Sequence, residues 1–436
     1  MKPIQVGLLG IGTVGSGTFE VLRRNQEEIQ RRAGRPIQIT MVADLDVARA
    51  QAIVGPGTRV VNDARQVIAN PEIDIVVELI GGYGIAKQLV LEAIQAGKHV
   101  VTANKALLAV HGSEIFAAAH QQGVMVAFEA AVAGGIPIIK ALREGLTANR
   151  IQWVAGIING TTNFILSEMR EKGLAFDAVL KEAQRLGYAE ADPTFDIEGV
   201  DAAHKATIMS AIAFGVPVQF DKAHVEGITR LESQDIRYAE QLGYRIKLLG
   251  ISKRASAGIE LRVHPCLIPA KRLIANVEGA MNAVVVQADA VGTTLYYGKG
   301  AGSEPTASAV VADLVDITRL HTADPLNRVP HLAFQPDAMS NLPILPMDQV
   351  VTSYYLRLRV ADEAGVLAKV TGILAQAGIS IDAVLQREAG EGENQTDLII
   401  LTHECVEQKM NTAIAEMQQL ATVLAPIIRI RKEELN

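Results

Sequence analysis

Residues Ile4–Gly15 read IQVGLLGIGTVG, an apolar run that ends in glycines at positions 10, 12 and 15. The run predicts a buried strand over Ile4–Leu9, and the residues from Thr13 to about Arg32 predict a helix. A strand, a G-x-G-x-x-G turn and a helix in this order form the dinucleotide-binding fingerprint of the Rossmann fold. We therefore predict a pyrophosphate at the start of this helix, against Gly10, Gly12, Thr13, Val14 and Gly15.

Further apolar strands alternate with helical patterns along the next hundred or so residues, which predicts one parallel sheet. These strands are Ile37–Ala43, Asp74–Leu79, His99–Thr102 and Val124–Phe128. Ligands bind at the carboxyl ends of strands in such sheets. The segment TANK (Thr102–Lys105) therefore places Thr102 and Lys105 where nicotinamide and substrate meet. The alternative is that Lys105 is an ordinary lysine at a helix start.

Asp44 follows the second strand directly. An acidic residue there accepts hydrogen bonds from the adenosine ribose and repels a 2′-phosphate, which favours NAD without excluding NADP. It lies about 30 residues beyond the glycines rather than about 20, because the first helix is long. The alternative is that Asp44 caps the helix predicted over Asp46–Ile53.

The most acidic stretch is Leu186–Lys205, LGYAEADPTFDIEGVDAAHK, with five carboxylates within twelve residues. Asp201 and Lys205 are four residues apart and share one face of a helix predicted over Gly199–Phe214. The rest of that helix is apolar almost all the way round, which predicts burial. A buried ammonium group loses hydration and becomes a better proton donor near neutral pH. The alternative is an ordinary surface ion pair.

Composition limits the classes of partner. The chain has 436 residues, 49% of them hydrophobic, and a net charge of −7, so nothing favours nucleic acid or an anionic membrane. Its two cysteines, Cys266 and Cys405, fit a reducing cytosol. The sequence contains no run of about 20 apolar residues and no signal-like start, so we predict a cytoplasmic location.

The middle of the chain predicts an α+β domain. A helix over Ile138–Thr147 and a strand over Ile151–Ile157 precede NGTTNFIL (Asn159–Leu166), which offers hydroxyl and N–H groups to a ligand carboxylate. Simple helix capping is the alternative for that motif. Tyr297–Gly302 (YGKGAG) is predicted to be flexible and to approach a cofactor. Three further strands are predicted over Lys247–Arg254, Ile259–Pro265 and Ala283–Asp289.

The C-terminal part predicts a linker and a small domain. Repeated prolines between Ala323 and Asp348 indicate a linker. Beyond it, a βαββα pattern with a closing strand predicts a ferredoxin-like unit. Its loop at Asp362, Gly365 and Val366 offers N–H groups and a carboxylate to an amino acid, although a pure dimerisation unit is the alternative. The predicted fold is α/β, with a Rossmann domain over 1–137, an α+β domain over 138–322 whose helix 305–319 packs on the Rossmann domain, a linker over 323–350 and a ferredoxin-like domain over 351–436.

Taken together, these residues resemble homoserine dehydrogenase of the monofunctional type with a C-terminal ACT domain. The resemblance covers essentially the whole chain, and the TANK and NGTTN segments agree with it. Its most specific part matches in residue type and spacing at Ala183, Gly187–Tyr188, Asp192–Pro193, Asp196–Ile197, Gly199, Asp201 and Lys205.

The resemblance implies reversible reduction of aspartate 4-semialdehyde to L-homoserine with NAD or NADP, on the route to threonine, isoleucine and methionine. Lys205 and Lys105 are then the paired catalytic lysines, with Lys205 as our choice of proton donor and the reverse assignment open. The substrate-binding residues implied are Gly187, Glu190, Asp196 and Asp201. Gly302 and Glu304 are expected to approach the cofactor.

The same resemblance implies a sodium ion at Glu129, with backbone oxygens of Val132, Gly134 and Ile136. It also implies that the ACT domain senses an amino acid, with threonine as the expected effector. A homodimer formed through the second domain's sheet is the expected assembly, and a tetramer paired through the ACT domains is the alternative.

Two other classes of protein share part of this pattern. A cysteine-dependent semialdehyde dehydrogenase has the Rossmann half, but neither Cys266 nor Cys405 is predicted near the cofactor. A non-catalytic sensor of NAD and amino acids is the second alternative, and the retained Lys105, Asp201 and Lys205 argue against it.

Overall fold

The N-terminal part folds as a parallel sheet with helices. The structure, a computed structural model, describes residues 2–387 and 394–436. All strand pairs of this sheet are parallel, in the order β3-β2-β1-β4-β5-β6, which is the doubly wound dinucleotide-binding order. Its strands are β1 (Ile4–Leu9), β2 (Ile37–Ala43), β3 (Arg59–Val61), β4 (Ile75–Glu78), β5 (His99–Thr102) and β6 (Val126–Ala127). Its helices are α1 (Thr13–Arg24), α2 (Gln26–Ala33), α3 (Val47–Val54), α4 (Ala64–Ala69), α5 (Ile85–Gln95) and α6 (Lys105–Gln122).

The middle part places helices against a mostly antiparallel sheet. Its strands follow the order β12-β11-β7-β9-β10, and β8 pairs with β10. In chain order the elements are α7 (Ile138–Lys140), a π-helical turn (Ala141–Gly145), β7 (Ile151–Ile157), α8 (Gly160–Lys172), α9 (Phe176–Arg185), α10 (Thr194–Ile197), α11 (Val200–Phe214), β8 (His224–Val225), α12 (Ser233–Gln241), β9 (Tyr244–Arg254), β10 (Ile259–Pro269), β11 (Met281–Ala288), β12 (Gly292–Lys299) and α13 (Ser303–Leu320).

Residues 351–436, here called the C-terminal unit, continue that same sheet. Strand β17 pairs in parallel with β10 through Cys266 opposite Arg431 and Leu267 opposite Lys432. The sheet therefore runs on as β10-β17-β13-β15-β14, with β16 on β13. The elements are β13 (Val351–Ala361), α14 (Val366–Gln376), β14 (Ile381–Gln386), β15 (Gln395–Thr402), β16 (Cys405–Val406), α15 (Glu407–Gln418) and β17 (Ile428–Lys432).

Strand β13 shows why this unit is not detached. Side chains of a strand alternate between the two faces of a sheet. Tyr354, Leu356 and Leu358 belong to the core under α14 and α15, whereas Tyr355 belongs to the core of the middle part. On that second face the Arg357 side chain donates to the Asp235 carboxylate of α12 at 2.6 and 3.1 Å. Both faces of this small sheet are therefore covered.

We expect Arg357→Met to lower the local free energy of unfolding at β13 by about 3 kcal/mol, because removing one member of a buried ion pair leaves its partner's charge uncompensated. Asp235 is 0% exposed and would lose its guanidinium partner. Hydrogen exchange of the β13 amides measures this change. The control is Arg23→Met, which removes an exposed i,i+3 partner of Glu20. Equal losses in the two variants would contradict the prediction.

The structure corrects three predicted elements. The first helix is not continuous to Arg32, because Asn25 leaves helical geometry at φ −105° and ψ 20° between α1 and α2; asparagine competes poorly for helix interiors. The helix expected over Ile138–Thr147 is short and ends in a π-helical turn at Gly145. The first half of the predicted flexible segment YGKGAG lies in β12, which pairs with β11, and the last three residues form a loop.

Helix α13 returns to the N-terminal part and packs against α1. The Ser303 hydroxyl donates to the Thr13 carbonyl at 2.8 Å, and Arg24 forms a two-point ion pair with Glu304 at 2.7 and 3.1 Å. A side-chain carbon on Gly17 would lie 2.4 Å from the Ser303 Oγ atom. The glycine therefore permits the close approach of the two helices beside the dinucleotide turn.

Candidate active site

Two lysines from different parts of the chain share one carboxylate. Lys205 Nζ donates to Asp201 Oδ2 at 2.7 Å, and Lys105 Nζ lies 3.0 Å from Asp201 Oδ1. Asp201 is 3% and Lys205 8% exposed, so the surface ion-pair alternative is wrong. Lys105 is the first residue of α6, the helix that follows β5. Its contact with Asp201 therefore places the carboxyl end of the Rossmann sheet beside α11.

The two ammonium groups have opposite pKa shifts. Burial lowers the pKa of Lys205 below its ordinary value. Burial also opposes the charge on Lys105, but the Asp201 carboxylate, helped by Asp196 and Glu190, raises the pKa of Lys105. Although burial alone would raise the pKa of Asp201, the two ammonium groups hold it well below its usual range. The site therefore contains one lysine suited to proton exchange and one that stays charged.

Asn159 links the acidic residues, a role that its sequence context did not predict. Its Nδ2 atom donates to Asp196 Oδ1 at 2.6 Å and to Asp201 Oδ2 at 2.8 Å. Its Oδ1 atom accepts the Thr162 N–H at 2.8 Å and so caps α8. The capping alternative for NGTTN is therefore confirmed, and the same amide also orients two carboxylates of the site. The only signal in the sequence was the motif itself.

A second network shapes the carboxyl ends of β4 and β5. Glu78, 0% exposed, accepts the Thr102 hydroxyl at 2.6 Å and the Ile80 N–H at 2.9 Å. Asn104 caps α6 through the Leu107 N–H and donates to the Gly82 carbonyl at 2.6 Å. These contacts hold the loop after β4 beside Lys105. Glu78 and Asn104 were not predicted as site residues, because each resembles an ordinary strand end or cap.

The glycine turn has the shape that a pyrophosphate requires. Gly10 has φ +88°, and a side-chain carbon on Gly15 would lie 2.3 Å from the Gly10 carbonyl oxygen. At Gly12 the corresponding position is open, at the N-terminus of α1 that also carries Thr13 and Val14. An anion is favoured at such a helix start. The turn therefore fits a dinucleotide in the way that the sequence predicts.

Asp44 is not the cap of the following helix. The N-cap is Asp46, whose carboxylate accepts the Arg49 N–H at 3.0 Å. The Asp44 carboxylate accepts the Ile11 N–H of the glycine turn at 2.9 Å and the N–H of Asp46 at 3.0 Å. It therefore joins the glycine turn to the start of α3, while Asp46 is the residue that caps the helix. Its carboxylate lies beside the turn, where an adenosine ribose would be bound.

Of the remaining predicted substrate residues, Asp196 and Glu190 act on the charge of Lys105, and Gly187 lies in the turn after α9. Asp196 is in α10, where burial and the nearby Asp201 raise its pKa. Gly187 has φ +77° and ends the turn after α9, and the Thr161 hydroxyl donates to the Tyr188 carbonyl at 2.6 Å. Phe195, also in α10 and not predicted, has its ring centroid 5.9 Å from Lys105 Nζ.

The other predicted positions lie on other elements of the fold. At the start of α13, Gly302 has φ +124° and Glu304 pairs with Arg24. In the C-terminal unit, Gly365 has φ +88° and precedes α14, Val366 is buried and Asp362 is exposed. These positions stay predictions as ligand sites.

Glu129 occupies an unusual position for a carboxylate. It is 2% exposed, and burial followed by the neighbouring Asp313 raises its pKa to about 7. Its oxygens accept the N–H groups of Ile139 and Lys140 at 2.9 and 2.8 Å. A cation would relieve this desolvated charge. Irregular buried backbone, with positive φ at Ala133 and Gly134, carries the carbonyls of Val132, Gly134 and Ile136, so the donor set fits a hard cation.

A different cluster does not fit a cation. His264, Cys266 and Glu433 have potential ligand atoms within 4.8 Å of one another. Arg262 Nη1 lies 2.8 Å from His264 Nε2, and a guanidinium only donates. Nε2 is therefore the acceptor, and Nδ1 carries the proton toward the Pro265 carbonyl at 3.0 Å. Burial raises the pKa of the Cys266 thiol far above its usual value, so it is unsuited to act as a nucleophile.

Comparison with known proteins identifies the family. A model of the homoserine dehydrogenase NAD-binding domain matches residues 10–129, one of homoserine dehydrogenase matches 137–315 and one of the ACT domain matches 354–422. A homoserine dehydrogenase of Pseudomonas aeruginosa is 62% identical over 437 residues, with 100% of both chains covered. The chain belongs to the homoserine dehydrogenase family. It is an oxidoreductase with a dinucleotide-binding domain, so these predictions are confirmed.

Solved structures of homoserine dehydrogenases have the same architecture. A crystal structure of the Thiobacillus denitrificans protein superposes with a TM-score of 0.96 at 67% identity, covering 100% of this chain and 99% of that one. A hyperthermophilic archaeal homoserine dehydrogenase in complex with NADPH gives a TM-score of 0.62 at 25% identity, covering 73% and 98%. The predicted fold class is confirmed. Over residues 2–387 and 394–436, no helix is long and apolar enough to cross a membrane.

Proposed function

We propose that the lysine pair catalyses the reversible interconversion of L-aspartate 4-semialdehyde and L-homoserine. The observation that carries this proposal is that Lys205 and Lys105 share the buried Asp201 carboxylate. Oxidation of homoserine removes a proton from a hydroxyl group and a hydride from the carbon bearing it. The protein must therefore supply a base and a stabilising cation beside one oxygen.

In the proposed mechanism, Lys205 exchanges the proton at the substrate oxygen. Its lowered pKa suits a group that both gives and takes protons. Lys105 stays charged and stabilises the oxygen as negative charge develops on it. A dinucleotide, when bound, would supply or accept the hydride; Gly10, Gly12 and Gly15 would hold its pyrophosphate, and its nicotinamide would lie near Thr102 and Lys105. Glu190 and Asp196 bind the amino-acid end of the substrate, and Gly187 lines that end of the site.

The direct test follows absorbance of reduced nicotinamide when the protein is mixed with homoserine and NAD or NADP. Homoserine-dependent reduction of either dinucleotide supports the proposal. Dinucleotide binding without turnover would instead indicate a non-catalytic sensor of NAD and amino acids, the alternative class named above. Aspartate 4-semialdehyde with the reduced dinucleotide tests the reverse direction.

We expect Asp44→Ser to lower the preference for NAD over NADP, as measured by the ratio of kcat/KM values, about tenfold, because Asp44 repels a 2′-phosphate and accepts ribose hydroxyls. Parallel kinetics with the two dinucleotides give this ratio for the wild-type protein and the variant. The control is Asp63→Ser, which removes a cap of α4 that accepts the Arg65 N–H. An unchanged ratio in Asp44→Ser would remove this residue from cofactor selection. The archaeal relative bound to NADPH supports keeping both dinucleotides as candidates.

We also propose a structural sodium ion at Glu129, with carbonyl oxygens of Val132, Gly134 and Ile136. The support is the desolvated carboxylate and the irregular backbone beside it. The chemistry of an O-ligand set without histidine or thiol suits a hard cation.

The proposed role in the cell is biosynthetic. We place the reaction in the cytoplasm, on the route to threonine, isoleucine and methionine, with feedback by an amino acid, threonine being the expected effector, at the ACT domain loop Asp362, Gly365 and Val366. The proposed assembly is a homodimer, with pairing into tetramers through the ACT domains as the alternative. An ACT domain in the chain supports an amino-acid effector.

A further inference from the structure

An arginine of the last strand, β17, forms an ion pair with a loop of the middle part. Arg431 of β17 is 1% exposed, and its two Nη atoms donate to the two Glu226 carboxylate oxygens at 2.9 Å each. Its Nε atom donates to Glu407 of α15 at 3.0 Å. Such a two-point contact fixes the angle as well as the distance between the groups. Arg429 of the same strand and His224 of β8 also contact Glu226 Oε1, at 3.3 and 2.8 Å, whereas Arg431 contacts both oxygens and so fixes the plane of the carboxylate.

The loop that begins at Glu226 holds the end of α10. The Ile228 N–H donates to the Ile197 carbonyl at 2.8 Å, and the Thr229 hydroxyl donates to the Glu198 carboxylate at 3.0 Å. Between them, a side-chain carbon on Gly227 would lie 2.3 Å from the Ile197 carbonyl oxygen and 2.5 Å from the Glu198 Cα atom. The two segments are therefore in contact without free space, and a shift of one displaces the other.

Ile197 and Glu198 lie in the sequence between Asp196 and Asp201, two acidic residues of the site. Asp196 precedes them and is held by Asn159, which also donates to Asp201. Gly199 follows them, and a side-chain carbon there would lie 3.3 Å from the Glu226 carbonyl oxygen. A path of contacts through Glu226, Ile197, Asp196 and Asn159 therefore connects Arg431 with Asp201, the carboxylate that the two lysines share.

We propose that Arg431 is a positioning residue for the substrate site. It acts through Glu226, which sets Ile197 and Glu198 and through them Asp196. The inference rests on the proposed function, because it assigns Asp196 to the substrate. It also means that a change in the C-terminal unit alters the affinity for the amino-acid substrate rather than for the dinucleotide. The positions of the two lysines, on α11 and α6, are not expected to change.

Steady-state kinetics of homoserine oxidation with the full chain test this inference. In Arg431→Met, we expect the KM for homoserine to rise about tenfold while kcat and the KM for the dinucleotide stay within about twofold. Arg431→Lys keeps the charge but not the two-point contact, so an intermediate KM is expected. The matched control is Arg357→Met, which breaks a second buried ion pair of the C-terminal unit, with Asp235 of α12.

A second pair of variants tests the same contact without changing Arg431. Gly227→Ala introduces the close contact with Ile197, so we expect it to raise the KM for homoserine selectively. Gly372→Ala is the control, because its added carbon meets open space. Circular dichroism and dinucleotide binding check that each variant is folded, and Gly227→Ala keeps the test available if Arg431→Met does not fold.

The outcomes separate the two proposals. No homoserine-dependent turnover in the wild-type protein would reject the proposed function. With an active wild-type enzyme, an unchanged KM for homoserine in both Arg431→Met and Gly227→Ala would overturn the positioning role. An equal rise of that KM in Arg357→Met would also overturn it, since the effect would then follow from any loosening of the C-terminal unit.

Discussion

Lys205→Ala lowers kcat for homoserine oxidation by about three orders of magnitude, since a positioned general base contributes about 10²- to 10⁴-fold. Burial lowers the pKa of Lys205. Because this side chain is only 8% exposed, bulk water has little access to take over its role as the base. Dinucleotide binding should change little, because the glycine turn lies in another domain. Measured by nicotinamide absorbance and by dinucleotide titration, the two effects should separate. Near-normal turnover would remove Lys205 from the mechanism.

A matched control exists in the same chain. Lys98 is also buried, at 7% exposure, and its Nζ atom donates to the carbonyls of Asn70 and Ile73. Burial lowers its pKa as well. Lys98→Ala should therefore reproduce the loss of a buried lysine without the loss of turnover.

The same measurements assign the two lysines. If Lys205 exchanges the proton, the oxidation rate of Lys105→Ala is lower but still rises with pH. The oxidation rate of Lys205→Ala then no longer shows this rise. The reverse pattern would exchange the two roles. The sequence by itself is compatible with either assignment.

Asp201→Asn should lower kcat by about two orders of magnitude and move the pH profile, because one carboxylate sets the charge state of both lysines. The Asp201 charge raises the pKa of Lys205 against burial, so its removal lowers that pKa further. Oxidation needs neutral Lys205, and its rate rises as the pH passes this pKa. The rising limb is therefore expected at lower pH in the variant. A shift to higher pH would contradict the charge arrangement.

The control for this variant is Asp192→Asn. It removes the same charge from the same acidic stretch, but the Asp192 carboxylate is exposed and accepts the Thr194 N–H at 3.1 Å. We expect a normal pH profile and a small effect on kcat. A full pH series for wild type and both variants distinguishes a specific effect of Asp201 from a general loss of negative charge.

Local patterns in the sequence predicted a large part of this protein. The spacing of Gly10, Gly12 and Gly15 after an apolar run predicted the Rossmann turn, because the backbone constraints act within six residues. The i,i+4 spacing of Asp201 and Lys205 on an apolar helix predicted their contact and burial for the same reason. The resemblance to homoserine dehydrogenase rested on motifs of this local kind, and the comparisons confirm it.

Other features depend on contacts between distant residues, which neither spacing nor periodicity encodes. Lys105 reaches Asp201 only because α6 packs against α11, and Asn159 reaches both carboxylates only because α8 begins beside α10. The pairing of β17 with β10 likewise depends on packing, because the unpaired N–H and C=O groups of an edge strand can pair with any strand that lies beside them. Sequence alone thus determined the turn, the buried helix and the family. Tertiary packing decided that two lysines share one carboxylate and that the last strand of the chain pairs with β10 and contacts Glu226.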